Sequence, residues 1–449
     1  MNTIVALSTP RGRGALAVVR LSGPRSLKIA RHLAGEEGDP VPRKATLRKL
    51  KYPKTGEILD EVLITYFEAP NSVTGEDVVE ISCHGSPTVV RQLIDLTLHF
   101  GAQLAGPGEF TLRALSNEKI NLAQAEAIRD LISSQTEAAL KQAARQLNGE
   151  LSTALDPFKN KLIEVIVSLE SALEFVEDDL PVAHVNSIEE SLVFVKSGVE
   201  ELCASYNAGR LLHDGIRIAI AGRPNVGKSS LFNKLVERDR AIVTDVPGTT
   251  RDTLSETIDI GGVPIILTDT AGLRETADGV ETLGIERTHR AMDDADLVIV
   301  VLDGTTDGGP EEFKILSRTA GGKRIAVVNK CDSELFRTAD DCNQRSQGIK
   351  VSAQTGEGLD DLRSAILEVL NSKDLDSGGL LITNARHHDL LLHTQHELDA
   401  AISCLHDRRS EEIVLAPLHN ALKFLGEITG ETTTEDILSE IFSTFCIGK

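Results

Sequence analysis

One short segment restricts the possible folds of this chain more than any other: Gly222-Arg-Pro-Asn-Val-Gly-Lys-Ser229. It fits the pattern G-x-x-x-x-G-K-[ST], follows the apolar run IRIAIA at 216–221 and precedes a helix-like stretch at 230–236. A strand that turns through glycines into a helix lets backbone N–H groups surround a phosphate. The alternative is a glycine-rich turn with a chance lysine, which the flanking strand and helix disfavour. The segment therefore predicts an α/β domain with a phosphate-binding loop.

Further polar elements follow this loop along the chain. Thr249-Thr-Arg-Asp252 comes after a Pro-Gly turn, and Asp269-Thr-Ala-Gly272 ends the apolar run at 263–267. Asn329-Lys-Cys-Asp332 and then Ser352-Ala353 complete the series. Any one of these could arise by chance, but their common order indicates a GTPase domain.

Each element has a predicted chemical role in that domain. Lys228 is expected to bridge the β- and γ-phosphates and is one of two predicted catalytic residues. The Ser229 and Thr250 hydroxyls are predicted Mg²⁺ ligands. The Asp269 carboxylate would hold a water of that metal, and the Gly272 N–H would meet the γ-phosphate.

The base is predicted to be guanine. Asp332 carries only acceptors when ionised, so it can pair with the N1–H and 2-amino group of guanine, which adenine does not offer in that arrangement. Ser352 and Ala353 are expected to contact the guanine oxygen through the backbone. The predicted nucleotide-binding residues are Asn225, Val226, Gly227, Lys228, Ser229, Ser230, Thr244, Asp245, Val246, Pro247, Gly248, Thr249, Thr250, Asp269, Thr270, Ala271, Gly272, Asn329, Lys330, Asp332, Ser352 and Ala353.

The sequence leaves open how water is positioned for hydrolysis. Leu273 stands where many switch GTPases place a glutamine, and it has no polar atom. Asn225 offers a side-chain oxygen that could hold a monovalent cation near the phosphates. Arg251, Arg274 and Glu281 lie in or beside the switch segments, where each could equally be a solvated loop charge.

Changes in residue composition and apolar spacing along the chain predict its domain organisation. Residues 1–118 mix short strand-like runs with a helical pattern and indicate an α+β domain. Residues 119–210 and 375–449 are helical and flank an α/β block at 211–374. Neither flank is long enough to bury a large core alone, so we expect both to form one discontinuous helical domain with the block inserted. The predicted fold class is multi-domain α/β plus α, with a P-loop, Ras-like GTPase domain.

Charge and cysteine content limit the classes of function. The formal net charge of −21 argues against a polyanionic partner, but residues 1–118 carry a net charge of +1 and a basic stretch at 43–54. The six cysteines form no CxxC pair, which disfavours a disulfide framework or a zinc site. No export signal or membrane-span pattern is visible, so the predicted location is the cytoplasm, with no membrane partner.

Several segments resemble one known family over essentially the full chain, the tRNA uridine-modification GTPases called MnmE or TrmE. The segments outside any generic GTPase pattern are NSVTGEDVVEISCHG (71–85), GPGEFTLRALSNEKINLAQAEAI (106–128) and FCIGK (445–449). Those within it are GRPNVGKSSL (222–231), VPGTTRD (246–252), DTAGLRET (269–276) and NKCD (329–332).

The resemblance implies a potassium-activated mechanism. K⁺ would be held at Asn225 and by a loop matching Thr244, Val246 and Thr249, and would take the place of an arginine finger as the GTPase domains of a homodimer meet. Glu281 matches the glutamate that orients the attacking water and is the second predicted catalytic residue.

The resemblance also implies a one-carbon donor, a tetrahydrofolate derivative (5-formyl- or methylene-tetrahydrofolate). It would bind in an N-terminal tetrahydrofolate-binding and dimerisation domain near Arg20, Glu80 and Lys119, with Lys449 contributing. Without the resemblance, Glu80 reads as a strand-surface acid and Lys119 as a helix-start charge. Cys446 is either a reactive thiol or a packing residue.

The implied reaction adds an aminomethyl or carboxymethylaminomethyl group to C5 of the wobble uridine of tRNA. It requires a flavin-dependent partner, MnmG or GidA, in a hetero-oligomeric complex. Two other functions stay open: a regulatory switch that gates ribosome assembly or another partner, and a folate-dependent aminomethyltransferase whose GTPase domain is only regulatory.

Overall fold

The computed structural model describes residues 2–35, 40–53, 55–174, 182–239, 255–269, 290–337, 348–370, 379–431 and 435–448. The chain divides into two compact units. The first comprises Met1–Arg129, Leu147–Ser152 and Gly426–Lys449, and the second comprises Asp130–Gln146 and Thr153–Leu425.

A six-stranded sheet forms the centre of the first unit, with strand order β3-β4-β5-β2-β1-β6. Its strands are β1 (Ile4–Leu7), β2 (Leu16–Ser22), β3 (Thr46–Lys51), β4 (Ile58–Phe67), β5 (Val78–His84) and β6 (Gln103–Leu104). Alternating apolar residues give this sheet one face that must be covered. Helices α1 (Ser26–Ala34) and α2 (Pro87–His99) contribute Leu33 and Leu93 to a core that includes Val5, Leu21 and Ile81.

The second unit also contains a six-stranded sheet, with order β12-β11-β10-β7-β9-β8. Its strands are β7 (Ile216–Gly222), β8 (Ser255–Ile260), β9 (Val263–Asp269), β10 (Leu297–Asp303), β11 (Arg324–Asn329) and β12 (Ile349–Lys350). All pairs are parallel except β8 with β9. The carboxyl ends of the parallel strands therefore lie along one edge, which is where ligands bind in open α/β sheets.

The remaining helices surround these sheets or pack on one another. They are α3 (Glu109–Ser116), α4 (Leu122–Ser133), α5 (Glu137–Leu147), α6 (Glu150–Glu174), α7 (Val182–Ala204), α8 (Tyr206–Asp214), α9 (Lys228–Asp239), α10 (Pro310–Arg318), α11 (Leu359–Val369), α12 (Ala385–His406), α13 (Glu411–Thr429) and α14 (Glu435–Ser443). Among the residues that the structure describes, no helix is long and apolar enough to cross a membrane.

Helices from before and after the inserted α/β block contact one another in the second unit. Lys196 on α7 pairs with Asp399 on α12 at 2.5 Å, and Glu189 on α7 accepts a hydrogen bond from His406 at 2.8 Å. The mixed α/β fold with flanking helices agrees with the sequence prediction. The sequence boundaries at 118, 210 and 374 stay predictions.

Residues 122–147 lie in the stretch predicted to be helical, and their apolar spacing continues throughout. In the structure they form two helices rather than one. Helix α4 ends at Ser133, and α5 begins at Glu137. The Ser134 hydroxyl donates to the Asp130 carbonyl at 2.7 Å, and the Ala139 N–H donates to the Thr136 hydroxyl at 3.2 Å. Such side chains offer the backbone alternative partners, so they break a helix that apolar spacing alone would continue.

A histidine at the end of α8 joins two elements of the second unit. His213 Nε2 lies 3.1 Å from Oδ1 of Asp130, which is buried on α4, and His213 Nδ1 lies 2.7 Å from Asp214 Oδ1. The hydrogen bond with Asp130 raises the pKa of His213 to about 9, against burial, which lowers it. The imidazolium is therefore the main form at neutral pH.

We predict that this pair makes stability depend on pH. A raised folded-state pKa stabilises the fold fully below the ordinary histidine pKa of about 6.5, and this stabilisation is lost as pH rises toward about 9. Its size is on the order of 2 kcal/mol after allowance for partial exposure. Thermal unfolding midpoints of wild type should fall from pH 6.5 to 9.5, and Asp130→Asn should lose most of that slope.

Glu189→Gln is the matched control, because its partner His406 is largely exposed. It should keep the wild-type slope. Equal slopes in wild type and Asp130→Asn would show that the His213–Asp130 pair does not control pH-dependent stability.

Candidate functional site: a nucleotide-binding edge and a second, charged sheet face

The predicted phosphate loop connects β7 to α9 at the carboxyl edge of the second sheet. Gly222 lies against β10, since a Cβ there would approach the Val301 carbonyl oxygen to 2.5 Å. Gly227 has φ +96°, and its Cβ would lie 2.2 Å from Asn329 Nδ2. Glycine is needed at Gly227 for both conformation and space.

The loop carries several of the predicted polar groups. Lys228 is buried, and its ammonium donates to the Arg223 carbonyl at 2.8 Å. Ser229 and Ser230 are exposed in the first turn of α9, where unpaired helix N–H groups favour an anion. Asn225 is exposed with φ 64°, an uncommon value for a residue with a side chain.

Asn329, at the end of β11, connects three loops of the site. Its Nδ2 donates to the Val226 carbonyl at 2.8 Å, and its Oδ1 accepts from the Ala353 N–H at 2.9 Å. The residue is 2% exposed. The structure therefore brings together the phosphate loop, the predicted base motif and the Ser352-Ala353 loop.

The predicted base-recognition residues lie beside this connection. Lys330 has φ 69°, and its ammonium donates to Asp303 at 2.6 Å. Asp332 is exposed at the same edge. Ser352 is fully buried, and its hydroxyl accepts from the Gln354 and Thr355 N–H groups, which fixes the loop that carries Ala353.

The acid predicted to hold a water of the metal also lies at this edge. Asp269 ends β9, pairs in register with Ile220 of β7 and is 4% exposed. Its carboxylate is therefore buried at the edge where ligands bind in open α/β sheets. Other predicted residues lie outside the described part of the chain: Thr244, Asp245, Val246, Pro247, Gly248, Thr249, Thr250, Thr270, Ala271, Gly272, Glu281 and Lys449.

In the first unit, two of the residues predicted near a folate lie side by side on adjacent strands. Arg20 on β2 and Glu80 on β5 are register partners, and Arg20 Nη2 lies 2.8 Å from Glu80 Oε1. The Arg20 guanidinium also lies 5.8 Å from the centre of the Phe110 ring. Arg20 and Glu80 thus present one ion pair rather than two separate charges.

Lys119 lies near this pair through a connecting loop. The Ser22 hydroxyl, two residues after Arg20, shares a 2.7 Å hydrogen bond with Thr74. A Cβ on the next residue, Gly75, would lie 3.3 Å from Lys119 Cγ. The lysine stem therefore packs against this loop, and the residue is exposed.

The last described residues pack on the same unit. Phe442 and Phe445 contact Gly108, whose φ of +63° and lack of a Cβ permit the approach. The Cys446 carbonyl accepts from the Gly108 N–H at 3.4 Å, and the Gly448 carbonyl accepts from the Ser8 hydroxyl at 3.0 Å. Cys446 is exposed. Gly108 is two residues before Phe110, whose ring faces the Arg20 guanidinium.

Sequence reasoning missed the side chains that hold these sites in place. Arg113 on α3 is buried and donates to Glu76 at 2.9 Å and to Glu109 at 2.8 Å. Asp303 was missed in the second unit, although it ends an apolar strand as Asp269 does. An acid at the end of a buried parallel strand was the signal available.

Comparisons with known proteins identify the family. One family model, the MnmE helical domain, matches residues 122–446, and another, the GTP-binding protein TrmE N-terminus, matches residues 3–119. The chain belongs to the MnmE family. Relatives named tRNA modification GTPase MnmE include that of Koribacter versatilis, 44% identical, covering 100% of this chain and 99% of the relative. Those of Thermotoga maritima (42%; 100% and 100%) and Aquifex aeolicus (41%; 99% and 99%) are similar.

Solved GTPase structures also match. The G domain of the T. maritima FeoB iron transporter is 28% identical, covering 34% of this chain and 98% of that chain, with a TM-score of 0.26. Aquifex aeolicus Era bound to GDP.AlF4- is 23% identical, covering 40% and 66%, with a TM-score of 0.27.

We predict that Gly227→Ala disrupts the joint between the phosphate loop and Asn329. The new methyl group would meet Asn329 Nδ2 at 2.2 Å and would force φ +96° on a residue with a Cβ. Affinity for GDP should fall by at least about tenfold, since a loss of about 1.4 kcal/mol suffices for that change. Titration with a fluorescent GDP analogue measures it.

Gly56→Ala serves as the control, because Gly56 has φ +72° and open space around its Cβ position. It carries similar backbone strain without the clash and should bind GDP as wild type does. Wild-type affinity in Gly227→Ala would contradict the close packing of these loops.

Proposed function

We propose that this chain hydrolyses GTP and takes part in the modification of tRNA, as the names of its relatives indicate. The observation that carries the proposal is the joint at Asn329, which holds the phosphate loop and the predicted guanine-recognition loop together. A protein that binds a phosphate alone needs no such connection. Lys228 lies buried in the phosphate loop, where its charge can act on the β- and γ-phosphates.

The cation requirement follows from the ligands available. The Ser229 and Thr250 hydroxyls are the proposed Mg²⁺ ligands, and the Asp269 carboxylate would hold a water of that metal. Asn225, held with φ 64° on the exposed side of the phosphate loop, offers its side-chain oxygen to K⁺. Thr244, Val246 and Thr249 are the other proposed K⁺ ligands. When bound, K⁺ supplies positive charge next to the phosphates.

Water activation is proposed for Glu281 because it matches the glutamate that orients the attacking water in the family, whereas Leu273 has no polar atom. A carboxylate can accept a hydrogen bond from the attacking water and so orient it. Homodimerisation would bring the GTPase domains together and complete this arrangement. The loop carrying Glu281 lies outside the described residues, so its position stays part of the proposal.

The first unit is proposed to bind a tetrahydrofolate derivative as the one-carbon donor. The proposal is supported by the Arg20–Glu80 ion pair on adjacent strands and by the final segment, which docks on the same unit through the Ser8–Gly448 hydrogen bond. The Glu80 carboxylate can accept from the donors of a pterin ring, while the Lys119 ammonium can neutralise a glutamyl carboxylate. Lys449 would follow directly from Gly448.

The proposed reaction places an aminomethyl or carboxymethylaminomethyl group on C5 of the wobble uridine in the cytoplasm. A flavin-dependent partner (MnmG) would supply the redox step. The basic edge strand β3, which carries Lys49 and Lys51, is the proposed contact for tRNA phosphates, because residues 1–118 lack the acidic excess of the rest of the chain. Glu61 is the register partner of Lys49, so this contact should be weak and sensitive to salt.

The function is tested in a strain that lacks this protein. We expect mass spectrometry of its tRNA nucleosides to show loss of the C5 modification at the wobble uridine. The wild-type chain should restore the modification, and Lys228→Ala should not. Unchanged modification in the deletion strain would contradict the tRNA function and favour the regulatory switch.

The cation mechanism is tested with the purified protein. We expect GTP turnover to be at least about tenfold faster in potassium than in sodium, because only a cation of the right size fits a fixed set of oxygen ligands. Asn225→Ala should remove this difference and leave the slow sodium rate. Equal wild-type rates in the two salts would contradict cation activation.

A further inference from the structure

A segment without any recognised motif contacts both ends of the nucleotide site. It follows β10 and continues into the first turn of α10. We define the bracket as Asp303, Thr306 and Glu312, the residues of this segment whose side chains reach the two loops. Each contacts a residue of the phosphate loop or of the base motif.

At the base end, Asp303 is held in one orientation. Its Oδ1 accepts from the Thr305 N–H at 2.9 Å and from the Thr305 hydroxyl at 2.6 Å. Its Oδ2 faces Lys330 and accepts from the ammonium at 2.6 Å. The backbone repeats the connection, because the Gly304 N–H donates to the Asn329 carbonyl at 3.0 Å. The two hydrogen bonds from Thr305 therefore orient the carboxylate independently of Lys330.

At the phosphate end, the bracket holds Arg223. The Arg223 Nη2 donates to the Thr306 hydroxyl at 3.2 Å, and its Nε lies 3.8 Å from Glu312 Oε2. Glu312 is 5% exposed, so solvent screens the attraction between its carboxylate and the Arg223 guanidinium only weakly. The carbonyl of the same arginine accepts from Lys228. The bracket thus fixes the residue against which the phosphate-binding lysine rests.

Burial and charge indicate a positioning role rather than a contribution to global stability. Burial alone would raise the pKa of Asp303, but hydrogen bonds from Lys330 and Thr305 outweigh it and hold the pKa below its ordinary value. Asp303 is therefore ionised at neutral pH. The Lys330 side chain is 38% exposed, and ion pairs with such lysines contribute little to the free energy of unfolding. The pair instead tethers Lys330, whose backbone has a left-handed φ of 69°, to the end of β10.

We propose that the bracket positions the guanine nucleotide site, with Asp303 acting through Lys330 on nucleotide affinity and Glu312 acting through Arg223 on turnover. This rests on the proposed GTPase function. None of the bracket side chains needs to touch the nucleotide. Removal of Asp303 frees the Lys330 ammonium and the loop that carries Asp332, whereas removal of the Glu312 charge loosens the support of Lys228.

The base end is tested with Asp303→Asn, which keeps an oxygen for Thr305 but loses the charge. We expect its Kd for GDP and its KM for GTP to rise about tenfold, with kcat within about twofold of wild type. The thermal midpoint of the nucleotide-free protein should not change. Asp307→Asn is the control: Asp307 is exposed in the same segment and pairs only with Arg337 among the residues described. It should bind GDP as wild type does.

A double-mutant cycle separates positioning from a local structural defect. If Asp303 acts through Lys330, Asp303→Asn should cost less than about twofold in GDP affinity when Lys330 is already glutamine. Asp303→Glu should recover part of the affinity. Wild-type GDP affinity in Asp303→Asn, or an equal loss in the Lys330→Gln background, would overturn the assignment of Asp303.

The phosphate end is tested with Glu312→Gln against Glu311→Gln, its neighbour in the first turn of α10. We expect Glu312→Gln to lower kcat about fivefold with GDP affinity near wild type, and Glu311→Gln to change neither. Equal kcat in all three proteins would overturn the assignment of Glu312. A wild-type protein that binds no GDP would instead contradict the GTPase proposal itself, so the two failures are distinguishable.

Discussion

The nucleotide-binding edge depends on one buried amide. Asn329 uses its donor for the phosphate loop and its acceptor for the loop at Ala353, so both halves of the side chain are satisfied within the protein. A buried amide with both groups paired fixes geometry more strictly than apolar contact does, because any shift leaves a polar group without a partner. The relative position of phosphate and base recognition is therefore set before a nucleotide binds.

Glycine makes this joint possible. Gly227 has no Cβ where Asn329 passes, and Gly304 has none where Phe336 and the Asn329 carbonyl approach. The hydrogen bonds of Asn329 thus require that neither of these neighbouring loop residues carries a side chain. The same logic applies in the first unit, where Gly108 and Gly448 permit close approach of the final segment to α3 and β1. In both units, glycines permit the close approach of two segments, and hydrogen bonds fix the geometry of that approach.

The elements of the second unit were largely predictable from the sequence, because its strands are short apolar runs that end in motif residues. β7 and β9 lie where the runs at 216–221 and 263–267 placed them. The phosphate loop and Asn329 were found for the same reason, as motifs are local. The Asp303–Lys330 pair was not, because its members are 27 residues apart and meet only through the register of β10 with β11.

The first unit shows the same limit more strongly. Arg20 and Glu80 were each identified through a resemblance, but their ion pair depends on the register of β2 with β5 across 60 residues. No local pattern encodes a register, since apolar alternation fixes only which face a side chain occupies. The break at Ser134–Thr136 was missed for a different reason: side-chain capping competes with helix periodicity, and periodicity was the signal used.

The docking of the last residues has a consequence for assembly. Ser8 and Gly448 are joined by a hydrogen bond across 440 residues, and Phe442 and Phe445 complete an apolar cluster with Ala125. The entropic cost of closing a loop rises only slowly with the length of the loop. A contact across 440 residues therefore costs little more free energy than a contact across a shorter loop. The first unit nevertheless contains both ends of the chain, and the Ser8–Gly448 contact forms only when the final segment has docked. Completion of this unit is therefore coupled to the folding of the whole chain.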